Sequence, residues 1–215
     1  MVSDSEFCFR VAIPGDETNI LEFIRKFYYP EEALTIGIPP KEPTKEDEQF
    51  SLSCIPSGLS IVAEDSDKKL VGVLLSHEVD NSTLPVRKIE TSQVPDYKWR
   101  TILTFLHHLE EQTAVCFRLN VPKAVQFSVL GVNPAHRGKS IGFRLMEKSA
   151  ENAGDKGYGA IGAACTSIFS ARIAEKMGMT CVTSMKYSDW KDEDGQVIFK
   201  PPEVYDQVRC YIKKL

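Results

Sequence analysis

V-Q-F-S-V-L-G-V-N-P-A-H-R-G-K-S-I-G-F-R-L-M, residues 125–146, decides how this chain is read. Val125 to Val132 is an apolar run of strand length. A short loop, Asn133 to Ser140, follows at once, and then a helix carrying Ile141, Leu145, Met146 and Ala150 on one side. A glycine-bearing loop that opens a helix aims unpaired backbone N–H groups at one place, where the helix dipole adds partial positive charge. Such a place binds a pyrophosphate. Gly138 and Gly142 permit close backbone approach, and Arg137 and Lys139 bring mobile positive charge. The spacing matches neither the phosphate loop G-x-x-x-x-G-K-[ST] nor the dinucleotide pattern G-x-G-x-x-G.

Outward from this unit the chain alternates strands and helices. Glu6 to Ile13 reads as an edge strand closed by Pro14-Gly15, and a helix with Ile20, Leu21, Ile24, Phe27 and Tyr28 at helical spacing follows from Asp16. The Pro-rich stretch from Pro30 to Pro43 is an ordered loop leading to a short helix over Thr44 to Cys54. Ser60 to Glu64 and Leu70 to His77 form a hairpin about Asp65 to Lys69. One long helix is expected over Ser92 to Cys116. Gly159 to Cys165 is a strand, Thr166 to Met177 a helix stopped by Gly178, and Met179 to Trp190 pairs with Val204 to Tyr211. The order β-α-α-β-β-α-β-α-β-α-β-β predicts an α/β (α+β) fold: a mixed sheet of seven strands, helices on both faces, and a parallel centre made by right-handed crossovers.

At 215 residues the chain fits one domain, 1–215. A net charge of −4 without a long Lys/Arg block gives no field for a nucleic-acid backbone, so nucleic acid is not an expected partner. Residues 1–10 lack the basic and apolar stretches of a secretory leader, and no window reaches the ~20 apolar residues that cross a bilayer. No membrane association is expected, the expected location is the cytoplasm and the default assembly is a monomer. Six cysteines, irregularly spaced and without a C-x-x-C pair, suggest free thiols and no metal site.

The loop R-G-K-S-I-G (137–142) resembles the acetyl-coenzyme A loop R/Q-x-x-G-x-G/A of the GCN5-related N-acetyltransferases, with Ser140 where the pattern has its first glycine. E-K-M-G-M (175–179) is similar to the closing motif of that superfamily. F-Y-Y-P-E-E-A-L-T (27–35), C-T-S-I-F-S-A-R-I-A-E-K-M-G-M (165–179) and Y-S-D-W with G-Q-V-I-F-K-P-P (187–202) narrow the resemblance to its insect arylalkylamine N-acetyltransferase group, over nearly the whole chain. What the resemblance implies is an acyl-CoA N-acyltransferase fold, a mostly antiparallel seven-stranded sheet with a parallel centre, acting on a small-molecule amine with acetyl-CoA as co-substrate and no metal. Leu130, Gly131, Val132, Arg137, Gly138, Lys139, Ser140, Ile141 and Gly142 would bind the cofactor. The Ser140 amide is expected to keep donating to phosphate provided the backbone there has helical rather than left-handed torsions, and Gly131 suits a bulge that frees an amide for the acyl oxygen.

An alkylamine is an ammonium at neutral pH and must lose a proton before its nitrogen attacks a thioester. By resemblance Glu32 is that general base, although Glu31-Glu32 on its own reads as a solvated acidic turn. The tyrosine acid of many superfamily members is replaced by Ala174, and the insect group's hydroxyl pair is matched by Thr166 and Ser170, four residues apart on one helix face, with Ser170 as acid or cofactor contact. N-capping is the commoner task for such hydroxyls. Phe27, Tyr28, Tyr29, Phe50 and Trp190 are candidate pocket walls, and Glu31, Asp47 or Glu48 candidate sites for a second cation. His107-His108 point apart and share no metal, and Cys165 reads as a buried structural thiol. A protein or peptide N-acetyltransferase, or a non-catalytic CoA-binding regulatory protein, are the alternatives.

Overall fold

Strands of aliphatic residues build the sheet, and helices lay apolar stripes on both of its faces. The structure, a computed structural model, describes residues 6–80 and 82–215; the first five residues, part of the segment read for a leader, lie outside it. The strands are β1 (Cys8–Val11), β2 (Ile61–Glu64), β3 (Leu70–Asp80), β4 (Lys123–Val132), β5 (Ala160–Cys165), β6 (Thr180–Lys186) and β7 (Gln207–Lys214). They form one sheet in the order β1-β2-β3-β4-β5-β7-β6. Among the described residues β4–β5 is the one parallel pair, so the expected mixed sheet with a parallel centre is present.

Helices α1 (Glu17–Phe27), α2 (Ala33–Gly37), α3 (Lys45–Ser53), α4 (Leu84–Ser92), α5 (Tyr97–Thr113), α6 (Val115–Leu119), α7 (Ile141–Asp155) and α8 (Ile168–Lys176) complete the chain. Ile141, Leu145 and Met146 of α7 pack with Val125, Phe127 and Leu74 on one face of the sheet. Ile20, Phe23 and Ile24 of α1 pack with Val73, Leu75 and Val129 on the other. A third cluster joins Trp99, Ile102 and Phe105 of α5 to Leu34, Tyr187 and Phe199. Burial of such side chains contributes ~1.5–3 kcal/mol each.

The expected single helix over Ser92 to Cys116 is α5 and the start of a second helix, α6. Pro95 separates α4 from α5, Asp96 caps α5 by accepting from Trp99 N–H at 2.7 Å, and Ala114, left-handed at φ 42°, divides α5 from α6. Helix α4 was not expected at all. Its start lies beyond β3, which runs three residues past His77 to Asp80.

Candidate functional site

Two strands that run side by side and then part leave an open edge, and β4 and β5 do this. Their parallel pairing covers Val125, Gln126 and Phe127 opposite Ile161, Gly162 and Ala163, and ends there. The next residue, Ser128, is the extra residue of a β-bulge: Leu75 faces Val129 while Ser76 faces Phe127. The bulge expected at Gly131 is therefore three residues earlier. Gly131 pairs in register with Val73, and its bare Cα meets another need, since a Cβ there would lie 3.2 Å from the Phe23 ring and 3.4 Å from Tyr28 Cβ. The glycine lets α1 lie close against the departing strand.

Beyond β4 the chain makes a 3₁₀ turn (Pro134–His136) and enters the loop at Arg137. Gly138 (φ 80°) and Ser140 (φ 60°, ψ 18°) are both left-handed. The condition of helical torsions at Ser140 is therefore not met. Alternating backbone handedness is what turns successive N–H groups to one concave side, and a glycine would adopt it without the ~1 kcal/mol cost carried by a Cβ. The first helical bond of α7 runs from Arg144 N–H to Ser140 O at 3.0 Å, and the amides of Ile141, Gly142 and Phe143 have no partner among the described residues. These donors at the N-terminus of a 15-residue helix fit an anionic diphosphate. Gly142 brings α7 against α8, its Cα so near that a Cβ would meet Ile173 at 2.9 Å. Arg137 pairs with Glu31 at 2.6 Å and Lys139 with Glu6 at 2.5 Å, both at the surface, where such pairs are weak enough to exchange.

A cavity of about 900 Å³, within the ~300–1,000 Å³ range of small-molecule sites, joins this loop to the rest of the site. It touches β4 from Gln126 to Val132, the loop at Arg137, Gly138, Ser140, Ile141 and Gly142, and the segment bearing Glu32. Lys139 does not line it. Arg172 and Lys176 of α8 do; both stand inside the 165–179 stretch that carries the resemblance, but nothing there singles out either as a site residue.

Glu31 and Glu32 are separated by the fold. Pro30 opens a single 3₁₀ turn (Tyr29–Glu31), which leaves Glu31 exposed and swings Glu32 inward as the N-cap of α2, 7% exposed. Its Oε2 accepts from Thr35 N–H at 2.6 Å, and Oε1 is buried without a partner. Asp47, 8% exposed, lies in the same cavity and accepts from the Tyr29 hydroxyl at 3.2 Å. Burial first, then the charge of Glu32, pushes its carboxyl up to about 7. Of the three candidates for a second cation, Glu31 and Glu48 face outward to Arg137 and Arg25. Glu31 reaches only the exposed edge of the cavity, while Asp47 is buried within it, as Glu32 is. The loop between them is held by Lys98, whose buried ammonium donates to the carbonyls of Thr35 (2.6 Å), Pro40 (2.5 Å) and Glu42 (2.8 Å).

Ser170 and Thr166 both line the cavity but do not share a helix face, because α8 begins at Ile168 and its N-cap is Ser167. Ser167 Oγ accepts from Ser170 N–H at 3.2 Å and lies 3.1 Å from Ser170 Oγ. The hydroxyl pair in contact is Ser167–Ser170, while Thr166 offers its carbonyl to the Tyr187 hydroxyl at 3.0 Å. Cys165 is buried and its thiol is pushed up to about 12 by burial, which suits packing rather than nucleophilic work. Phe27, Tyr28 and Phe50 are cavity walls as expected. Tyr29 belongs to the α1-face core, and Trp190 stacks against Phe105 and His108 away from this cavity, its place as a wall taken by Trp99. His107 faces inward toward Thr91 and His108 toward Gln112. Among the described residues no group of three or more His, Cys, Asp or Glu could hold a metal ion, and no helix is long and apolar enough to cross a membrane.

The sequence profile described as the acetyltransferase (GNAT) family matches residues 21–179. Solved structures similar to this chain include a mosquito arylalkylamine N-acetyltransferase like 5b, 34% identical with a TM-score of 0.93 over 97% of this chain and 100% of that one. A Drosophila melanogaster polyamine N-acetyltransferase that catalyses formation of N-acetylagmatine is 32% identical, with a TM-score of 0.93 over 98% of this chain and 100% of that one. The Aedes aegypti arylalkylamine N-acetyltransferase 2, at 24% identity and a TM-score of 0.90 over 97% of this chain and 98% of that one, shares the fold.

Proposed function

The chain belongs to the GNAT acetyltransferase family, an acetyl-CoA-dependent N-acetyltransferase family, and from that premise we propose that it acetylates the primary amine of a small arylalkylamine or polyamine by direct attack in a ternary complex. One observation carries the reading: a buried, partnerless carboxylate oxygen of Glu32 shares a cavity with the unpaired amides that open α7.

In this proposal the amides of Ile141 and Gly142, with Arg137, Gly138, Lys139 and Ser140 around them, hold the diphosphate. The open edge of β4 at Leu130, Gly131 and Val132 holds the pantetheine arm and donates to the acyl oxygen. Acetyl-CoA supplies the acetyl group as a thioester. Glu32 receives the ammonium at Oε1 and takes its proton, while its Oε2 stays fixed by the Thr35 amide. Ser170, backed by Ser167, with Thr166 beside it, donates toward the departing sulfur; its hydroxyl, now turned to the Ser167 carbonyl at 3.1 Å, is free to rotate. The whole chain serves as one catalytic domain. The relatives named above, one an arylalkylamine and one a polyamine acetyltransferase, support both substrate classes. Six unpaired cysteines support a reducing compartment such as the cytoplasm.

Incubation with acetyl-CoA, an amine panel and peptides, following release of free thiol, tests the reading. Rapid turnover with one or a few small amines is expected. Turnover on peptides alone would make the chain a protein acetyltransferase, and tight acetyl-CoA binding without turnover would make it a regulatory CoA-binding protein.

A further inference from the structure

The cavity continues well past Glu32 and Asp47, between β3, β4, α4 and α5, and its chemistry changes on the way. Phe50 stands one helical turn after Asp47 on α3, its ring 5.6 Å from Trp99 and edge-on to the His77 imidazole at 5.5 Å. Beyond these two aromatic rings lie His77, Ser128, Thr91 and His107. We infer that this cavity has two unlike ends, carboxylate and neutral-polar, and that His77, oriented by Ser128, is a specificity-determining residue that receives a ring hydroxyl of the amine substrate. The preferred substrates are then hydroxylated arylalkylamines rather than diamines. This rests on the proposed acetyltransferase function and names its substrate class.

Three observations support it. His77 Nδ1 lies 2.8 Å from Ser128 Oγ, and Ser128 is the bulge residue where β4 leaves β5, so the imidazole is anchored at the mouth of the splay. Its Nε2 has no partner among the described residues, and the ring lines the cavity. Either tautomer leaves one hydrogen-bonding nitrogen for a ligand, and a hydroxyl can act as donor or acceptor to match it. Lastly, this end is poor in negative charge. Burial pushes His77 and His107 down to about 4 each, so both are neutral at pH 7, and the Arg87 guanidinium acts on both. Glu110 is taken by Arg87, and Glu90 is exposed on the rim, where its field is screened. The buried carboxylates Glu32 and Asp47 both lie at the opposite end, so a second ammonium at the His77 end would find no buried carboxylate to receive it. An aromatic ring laid along the contiguous Phe50 and Trp99 rings, with its amine toward Glu32 and its hydroxyl toward His77, meets every one of these groups.

The test compares kcat/KM for 4-hydroxyphenethylamine, phenethylamine and 1,4-diaminobutane. A buried hydrogen bond of ordinary strength predicts a preference of about tenfold for the hydroxylated amine over its parent, with the diamine below both. In His77→Phe that ratio falls to about one, and in His77→Asn, which keeps a polar end, part of it returns. Acetyl-CoA binding by calorimetry checks that each variant is folded. Should His77→Phe not fold, Ser128→Ala, which only releases the ring, is expected to shrink the ratio severalfold. Equal use of the two arylamines by the unaltered protein, a diamine used best, or a ratio that survives both substitutions overturns the inference while leaving the acetyltransferase reading standing. If no amine is acetylated, both fall.

Discussion

The turn at residues 137–142 and the segment at residues 29–47 face one cavity, and they are made of different things. The turn works through main-chain amides, so the identity of a side chain matters less than the torsion beneath it, and a serine stands in left-handed torsions where a glycine would be easier. The segment works through two buried carboxylates, and these depend on particular neighbours: a tyrosine hydroxyl, a single 3₁₀ turn and a lysine more than fifty residues away. A binding surface of amides tolerates substitution. A surface of buried charge does not, because each carboxylate must find specific neighbours or lose its ionised form.

The largest expected effect falls on the carboxylate side. Glu32→Gln keeps the shape and the Thr35 contact but removes the proton acceptor, and kcat at neutral pH should fall at least about a hundredfold, with acetyl-CoA affinity by calorimetry unaltered. Equal loss in both measurements would erase the division between the two regions. Next comes Lys98→Met. Three loop carbonyls lose their common donor, and denaturant unfolding should show about 2 kcal/mol less stability, roughly a thirtyfold change in the folding equilibrium.

Asp47 sharpens the contrast through pH. Its folded carboxyl is raised to about 7 from 3.8, so the native state binds the proton more tightly than the unfolded chain. The associated stability is fully present below about pH 4 and is lost as pH rises through about 7. Asp47→Asn should flatten this slope in denaturant titrations at pH 4, 5.5 and 7, a difference of up to about tenfold in the equilibrium constant, since the water-accessible cavity relaxes part of the burial cost. The smallest effect belongs to the amide side: Ser140→Gly should stabilise by about 1 kcal/mol, roughly fivefold, while acetyl-CoA binding is retained.

That same division explains what could be read in advance from the chain. Strand β4, the loop and α7 are contiguous, so period, glycines and helix start announced the amide cradle together, and the parallel centre followed from the crossover through α7. The torsion of Ser140 is left-handed, against the condition set for it, because nothing local distinguishes a helical serine from a left-handed one until the turn closes. Glu32 was reached through resemblance; alone it is indistinguishable from its neighbour Glu31, and only the 3₁₀ turn at Pro30 sends one out and the other in. Asp47 entered as one of three carboxylates, and long-range packing chose it. Lys98 carries no local signal; Ser167, Arg172 and Lys176 lie in the 165–179 motif, but only the folded cavity shows that they face it; and α4 is hidden because nine residues opening on Leu84-Pro85, with two exposed aliphatics, Val86 and Ile89, hold too little pattern for a helix to be seen.

Lys98 has one more consequence. It is a primary amine held beside the Glu32 loop, in a protein that would hand acetyl groups to primary amines. Its three N–H groups are each taken by a carbonyl, an arrangement only the ammonium form can complete, so its nitrogen has no lone pair to offer. On the proposed function, the clasp that shapes the site would also hold this amine as an ammonium against the burial that lowers its pKa, and so keep it from taking an acetyl group.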